Sequence, residues 1–132
     1  MPHMTVEYSA NIEEKVRIDG LLKALHEAAV STAIAELAGF RTRAERRDQY
    51  RVADADPANC FVAIIIRVAR GRSAEDLKNL LDTVTDAATA YLEPVFATTP
   101  ISFSCEVQEI IPEMRINKSN IRAWMKTRET AA

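Results

Sequence analysis

The sequence feature that most constrains the fold is the run Cys60–Ala69, which reads Cys-Phe-Val-Ala-Ile-Ile-Ile-Arg-Val-Ala. A near-continuous series of apolar and β-branched residues is typical of a strand that is buried on both faces. Such a strand lies in the middle of a sheet and pairs with a parallel neighbour, which requires a crossover connection. The run therefore predicts a central strand in an α/β protein.

A helix and another strand follow this run. Gly71 ends the strand, and Ser73 is a good N-cap for a helix that carries Glu75 and Asp76 in its first turn, where negative charge suits the helix dipole. After Pro100, apolar and polar residues alternate up to Gln108, as in a half-buried strand. The helix between them ends near Pro94 and has an apolar stripe made of Leu77, Leu80, Leu81, Val84, Ala87, Ala88, Tyr91 and Leu92.

The first half of the chain repeats this order. Met4, Val6 and Tyr8 alternate with polar residues and predict a first strand. A polar connection over residues 9–16 leads to a predicted helix from Asp19, its N-cap, to Ala35. Its apolar positions recur at helical spacing at Leu21, Leu22, Leu25, Ala28, Ala29, Thr32 and Ala33.

The remaining segments are less regular. Within the first helix we expect His26 to face solvent, and Gly39 marks a turn after it. The charged stretch Arg41–Val52 is interpreted as an antiparallel or edge strand, because the helix before it must return to the sheet. A turn follows over residues 54–59. Near the chain end, residues 120–126 predict a short helix, and we expect the residues from Thr127 onward to fray.

Two strand-helix-strand units predict a double βαβ fold within one domain of residues 1–132. We expect a two-layer α/β sandwich: a four-stranded mixed sheet with two helices on one face. The opposite face of the sheet is expected to keep apolar positions, so self-association is also predicted.

Composition excludes several classes of protein. The net charge is −2 and the isoelectric point is near 5.7, so the molecule has no overall basic field for nucleic acid or an anionic membrane. No apolar run approaches the roughly 20 residues that span a bilayer, and the start of the chain does not resemble a signal peptide, which favours the cytoplasm. Cys60 and Cys105 are interpreted as buried apolar residues. With His3 and His26 as the only histidines, we expect neither a metal site nor another cofactor.

The chain start carries the residue best suited to chemistry. Removal of Met1 would leave Pro2 with a free secondary amine, held rigidly at the start of a strand. An unperturbed α-amine has a pKa of about 7.7–8.0, close to what a general base needs near neutral pH. Burial or a nearby guanidinium, such as that of Arg41, would favour the neutral form further. If Met1 is retained, the nitrogen of Pro2 is an amide and cannot act as a base.

Arg41 and Arg72 are the candidate substrate-binding cations, because a planar guanidinium can hold a carboxylate through two parallel hydrogen bonds. Taken alone, Arg41 is more simply interpreted as a salt-bridge partner among many charges, and Arg72 as a solvated residue at the helix start. Arg43, Arg67 and Arg70 are weaker candidates. Trp124 is interpreted as a C-terminal core anchor rather than a pocket wall, and His3 is expected to meet solvent or a neighbouring subunit.

Four scattered pieces of the sequence together resemble the tautomerase superfamily, and within it the 5-carboxymethyl-2-hydroxymuconate isomerase family. The resemblance covers nearly the whole chain. It implies a homotrimer with sites near subunit boundaries, Pro2 as proton carrier, and Arg41 and Arg72 as ligands of substrate carboxylates. The matching pieces are Pro2-His3 with Val6-Glu7 and Ser9; Leu37-Ala38-Gly39 with Arg41 and Arg43; Gly71-Arg72-Ser73; and Asn120 with Ala123 and Lys126.

The implied activity is a cofactor-independent proton shift in an unsaturated 2-hydroxy or 2-oxo dicarboxylic acid from aromatic breakdown. Two alternatives remain open at this point. The same proline could serve a hydratase, decarboxylase or dehalogenase of an unsaturated acid, since fold alone does not fix function. The chain could also be a non-catalytic trimeric protein whose arginines bind an anion or an RNA.

Overall fold

The computed structural model describes residues 2–131. These residues contain four strands, namely β1 (His3–Ser9), β2 (Arg41–Arg47), β3 (Cys60–Ala69) and β4 (Ile101–Ile110). The α-helices are α1 (Ile18–Ser31), α2 (Ala74–Tyr91), α3 (Glu93–Thr98) and α4 (Ile121–Ala131). Short 3₁₀ helices lie at Ala10–Glu14, Leu37–Gly39 and Pro112–Met114.

The strands form one mixed sheet in the order β2-β1-β3-β4. β1 is parallel to β2 and β3 is parallel to β4, whereas β1 and β3 are antiparallel. Each parallel pair is joined by a crossover that contains a long helix, as the two strand-helix-strand units predicted. The position of β3 between β1 and β4 confirms the interpretation of its β-branched run as a central strand.

The core lies between one face of the sheet and the helices α1 and α2. Alternate residues of β1 and β3 point into it, and the apolar stripes of both helices cover them. All of these side chains are at most 5% exposed; they include Met4, Val6, Tyr8, Val62, Ile64, Ile66, Leu21, Leu25, Leu80 and Val84.

Gly20 allows α1 to approach the end of α2. The Tyr91 hydroxyl donates a hydrogen bond to the Arg17 carbonyl over 2.9 Å. A Cβ added at Gly20 would lie 2.3 Å from that hydroxyl oxygen, closer than any ordinary contact. A larger residue at this position would therefore displace the Tyr91 hydroxyl.

Several predicted boundaries are wrong. The first helix ends at Ser31 rather than Ala35, because Ala33 has a left-handed backbone with a φ of 56° that stops the helix. β2 is an edge strand as predicted, but it is parallel to β1, not antiparallel, and it ends at Arg47. The C-terminal helix does not fray at Thr127 and continues to Ala131.

The sheet face opposite the helices, here called the open face, keeps apolar positions as predicted and also carries many charged residues. Register places His3 of β1 beside Arg41 of β2 and Arg67 of β3 on this face, and Glu7 beside Glu45. Apolar residues on it lie mainly on β3, at Phe61, Ala63, Ile65 and Ala69, and Ile110 of β4 pairs with Ala69 on the same face. The open face is thus largely charged at its β1–β2 side.

Two single-residue predictions are also wrong. His26 is half-buried, and its Nδ1 lies 2.7 Å from the Thr42 hydroxyl oxygen, so it packs against β2 instead of facing solvent. Trp124 is 52% exposed and does not anchor the core. Within residues 2–131, no helix has the length and apolar character needed to cross a membrane. The cytoplasmic location stays a prediction.

Candidate functional site

The predicted site residues gather at one end of the sheet, here called the His3 end. β1 and β2 begin there, and β3 and β4 finish there, because the two parallel pairs run in opposite directions. The Arg41 amide donates to the Pro2 carbonyl over 3.2 Å, and the Arg70 amide donates to the Ile110 carbonyl over 2.9 Å. Pro2, Arg41 and the turn that contains Arg72 therefore lie at the same sheet end.

Pro2 is ordered by its place directly before β1. It is buried, and its carbonyl is fixed by the hydrogen bond from the amide of Arg41. Strand alternation puts its ring on the same side as Met4, toward the helices. Met1, whose removal the chemistry requires, lies outside the described residues.

Arg41 is half-buried and bonded to neutral groups. Its Nη2 donates to the Asn117 Oδ1 over 3.0 Å, and its Nη1 lies 3.2 Å from the His3 Nε2. Among the described residues it forms no ion pair with a carboxylate, so its positive charge is available to a ligand. This placement fits the predicted role.

Arg72 is also half-buried, but backbone carbonyls hold its guanidinium. Its Nε donates to the Ile34 carbonyl over 3.0 Å, and its Nη1 donates to the Ala69 carbonyl over 2.8 Å. Arg72 thus ties the segment after α1 to the end of β3, a structural contact that the sequence did not reveal. No hydrogen bond engages its Nη2 within residues 2–131, which leaves one edge of the guanidinium for a ligand.

The turn around Arg72 depends on its two neighbours. Gly71 has a φ of 121°, a conformation that residues with a side chain rarely adopt. Ser73 caps α2 as predicted, since its hydroxyl accepts a hydrogen bond from the Asp76 amide over 3.0 Å. Together they set the direction in which the chain leaves β3 and enters α2.

His3 is the site residue whose contacts the sequence did not predict. Its ring nitrogens lie 3.2 Å from a guanidinium nitrogen of Arg41 and 3.2 Å from one of Arg43. Partial burial, followed by the charges of Arg41, Arg43, Arg115 and Arg67, holds the pKa of His3 below its ordinary value. Alternation placed His3 off the core face, but its neighbours depend on strand register, which local sequence does not specify.

Two weaker candidates, Arg67 and Arg70, also lie near the His3 end of the sheet. Arg67 pairs with His3 across β1 and β3, and Arg70 is exposed just beyond β3. A cavity of 430 Å³ adjoins the His3 end and is lined by His3, Arg41, Arg67, Arg115, Asn117 and Lys118 among others. A larger cavity of 620 Å³ lies in the loop of residues 48–59, after β2, at the opposite end of the sheet from Pro2.

The double βαβ sheet, with a proline before β1 and arginines at the same end, has the architecture of the tautomerases. A protein titled "W0 fused 4-OT wild type symmetric trimer" shares this fold, with a TM-score of 0.64 at 20% identity over 88% of this chain and 93% of that one. The model of the family described as CHMI, 5-carboxymethyl-2-hydroxymuconate isomerase, matches residues 2–125, and the chain belongs to that family.

Individual relatives agree with this assignment. The chain is 26% identical over 126 residues to the 5-carboxymethyl-2-hydroxymuconate Delta-isomerase of Escherichia coli, covering 96% of this chain and all of that protein. A crystal structure of a 5-carboxymethyl-2-hydroxymuconate isomerase from Deinococcus radiodurans R1 is 32% identical, with a TM-score of 0.87 over 94% of this chain and 93% of that one. The family confirms the predicted class of enzyme, an isomerase of the tautomerase fold.

Proposed function

We propose that this isomerase moves a proton within an unsaturated 2-hydroxy or 2-oxo acid that bears at least two carboxylates, with Pro2 as the base and then the acid. The observation that carries the proposal is that Pro2, Arg41 and the turn that contains Arg72 lie at the same end of the sheet. The relatives named above are 5-carboxymethyl-2-hydroxymuconate isomerases, which indicates the substrate class.

The burial of Pro2 supports its role as the base. An α-amine in water has a pKa of about 7.7–8.0. Burial and the positive charge of Arg41 both disfavour the ammonium form, so the free amine of the processed chain is expected to be neutral near neutral pH. The neutral nitrogen takes a proton from the enol or the carbon beside it. It returns that proton farther along the conjugated system.

Arg41 and Arg72 supply the positive charge that the reaction requires. Removing the proton leaves a dienolate, and fixed donors directed at that charge contribute a large share of catalysis in enzymes of this type. Among residues 2–131, Arg41 has no carboxylate partner and the Nη2 of Arg72 makes no hydrogen bond. One guanidinium is therefore proposed to hold a carboxylate, and the other to stabilise the dienolate.

Exposed apolar residues support the proposed homotrimer of one-domain subunits. Met114 is 80% exposed, Ile116 is 99% exposed and Trp124 is 52% exposed, and all three follow β4. Such a concentration of exposed apolar side chains is typical of a surface that another chain covers. The related fused protein described as a symmetric trimer gives a model for the assembly.

Two measurements test the proposed function. Intact-mass spectrometry should show a chain that starts at Pro2. The Pro2→Ala variant should then convert 2-hydroxymuconate and phenylenolpyruvate with a much lower kcat/KM than the parent, whereas Pro57→Ala, in the loop at the opposite end of the sheet, should match the parent. A retained Met1, or equal rates for Pro2→Ala and the parent, would remove Pro2 from the mechanism.

A further inference from the structure

Arg41 is held by two neutral groups that come from different parts of the chain. On one side its Nη1 lies 3.2 Å from the Nε2 of His3, at the start of β1. On the other side its Nη2 donates to the Oδ1 of Asn117, in the segment after β4, over 3.0 Å. These contacts fix the direction of the guanidinium, and within residues 2–131 no carboxylate neutralises its charge.

Arg47, at the other end of β2 and on the same open face, is held in the opposite way. Its guanidinium contacts the carboxylates of Glu7 at 2.7 Å and Glu45 at 2.6 Å. Carboxylates bind a guanidinium strongly, so they would compete with any anionic ligand for it. Carboxylates thus hold the arginine that is remote from Pro2, whereas neutral groups hold Arg41, whose amide is bonded to the Pro2 carbonyl.

His3 accepts a hydrogen bond from Arg41 only as a neutral ring with its proton on Nδ1. A neutral imidazole accepts at one nitrogen and donates at the other, and a protonated one only donates. The Nδ1 lies 3.2 Å from the Nη1 of Arg43, but that side chain is exposed and can turn to water. Guanidinium groups from each neighbouring element oppose a positive charge on the ring: Arg41 and Arg43 of β2, Arg67 of β3, and Arg115 after β4.

Arg41 stays open to a ligand in this arrangement. It lines two cavities at the His3 end, one of 430 Å³ and one of 490 Å³. A long side chain loses rotational freedom when it binds a ligand, and fixing it beforehand removes part of that entropy cost. A guanidinium that is already oriented therefore binds an anionic substrate better than one that moves freely.

We propose that His3 and Asn117 are positioning residues for Arg41, and that they orient its guanidinium through neutral acceptors so that its full charge remains for the substrate. The inference rests on the proposed function, because it takes Arg41 as a cation that acts on the substrate. Neither positioning residue has to touch the substrate. A carboxylate in place of either acceptor would still hold the guanidinium but would neutralise it.

The test replaces each neutral acceptor by a carboxylate. Asn117→Asp is compared with the parent, and His3→Glu is compared with His3→Gln, which has the same shape and no charge. We expect kcat/KM for 2-hydroxymuconate to be roughly two- to fivefold lower in each carboxylate variant, as for an exposed ion pair that competes with the substrate. Asn79→Asp makes the same change of charge at an exposed position of α2 and should match the parent.

Stability distinguishes positioning from a purely structural role. The urea midpoint of each carboxylate variant should equal or exceed that of its neutral counterpart, because the new carboxylate pairs with an arginine. Activity should therefore fall without any loss of stability. Carboxylate variants that are as active as their neutral counterparts, or that lose activity and stability together, would overturn the inference.

Arg41→Met separates failure of the inference from failure of the proposed function. It should lower kcat/KM by more than either carboxylate variant, because it removes the cation itself. If Arg41→Met is impaired while the carboxylate variants are not, the inference alone fails. A parent-like rate in Arg41→Met would remove Arg41 from the proposed function and the inference with it.

Nitrogen-15 NMR of the His3 ring tests the contact without any activity. Near neutral pH, we expect a neutral ring with its proton on Nδ1 and a bare Nε2. The spectrum of His3→Gln, whose remaining histidine is His26, identifies the signals of His3. If the parent does not turn over the substrate, the proposed function fails, yet this spectrum still tests how Arg41 is held. A protonated ring, or a proton on Nε2, would leave no acceptor for Arg41 and would refute the inference.

Discussion

Arg72 offers the clearest test of how the site is held together. Its guanidinium joins two backbone carbonyls that are distant in sequence, those of Ile34 and Ala69. Replacing it by methionine keeps an apolar stem of comparable reach but removes both donors. The two carbonyls then depend on water, and the segment after α1 is no longer tied to the end of β3.

The size of the effect follows from the two hydrogen bonds. A bond from a charged donor contributes roughly 1.5–3 kcal/mol. Because Arg72 is half-buried, water partly replaces the lost donors, so we expect Arg72→Met to lower the free energy of unfolding by about 2–4 kcal/mol. With a urea dependence of about 1–3 kcal/mol per molar, the unfolding midpoint should fall by roughly 1 M or more.

Urea unfolding followed by circular dichroism measures this change. All variants are compared at one protomer concentration, since assembly adds to apparent stability. Arg70→Met is the matched control: it removes the charge of an exposed neighbour and should stay within about 0.5 kcal/mol of the parent. If Arg72→Met unfolds at the same urea concentration as Arg70→Met, the two backbone contacts do not stabilise the fold, and the reasoning is refuted.

Three further substitutions test other contacts of the fold. Ser73→Ala removes the cap of α2 and should lower the free energy of unfolding in urea by about 1 kcal/mol. Tyr8→Phe breaks the 2.5 Å hydrogen bond to Glu13 and should cost about 1 kcal/mol. In the parent, burial and that bond raise the pKa of Tyr8 to about 12, so this stabilisation persists below pH 10 and is lost as the pH rises toward 12. His3 has a lowered pKa, so the parent should lose stability as the pH falls below 6.5, and His3→Gln should lose less.

Each of these three predictions has a measurement whose result could contradict it. Ser104→Ala, on the open face, is the control for Ser73→Ala, and equal stability of the two variants would exclude the cap. Ultraviolet titration should show one of the three tyrosines ionising near pH 12, and its persistence in Tyr8→Phe would assign that titration to another residue. Thermal melts across the acidic range test His3, and parallel curves for His3→Gln and the parent would contradict its place among the cations.

The sequence predicted those parts of the fold that local pattern determines. The β-branched run of β3 and the apolar stripe of α2 each have one strong periodicity, and both were predicted within a residue or two. β2 carries charged residues on one face and only Thr42 and Ala44 half-buried on the other. The direction of β2 is set by the crossover through α1 and by pairing with β1. Neither of these can be derived from the local pattern of residues.

The residues of the candidate site could be predicted from the sequence, whereas their contacts could not. Pro2, Arg41 and Arg72 are predicted from the chemistry of a terminal amine and of guanidinium groups together with the resemblance to a family, and the structure brings all three to the His3 end. Their partners were not predicted, because the contact of Arg72 with Ile34 and that of His3 with Arg43 join residues more than 30 positions apart. Such contacts follow from strand register and loop path, which a single sequence does not specify.

The central claim is that the free amine of Pro2 transfers the proton. Inserting one alanine between Met1 and Pro2 tests it directly, because processing then leaves an alanine at the chain start and turns the proline nitrogen into an amide without changing any side chain of the site. We expect kcat/KM for 2-hydroxymuconate to fall by about 10²–10⁴, the usual contribution of a general acid–base group, while circular dichroism and oligomeric state stay unchanged. An inserted variant that is folded and as active as the parent would contradict the claim.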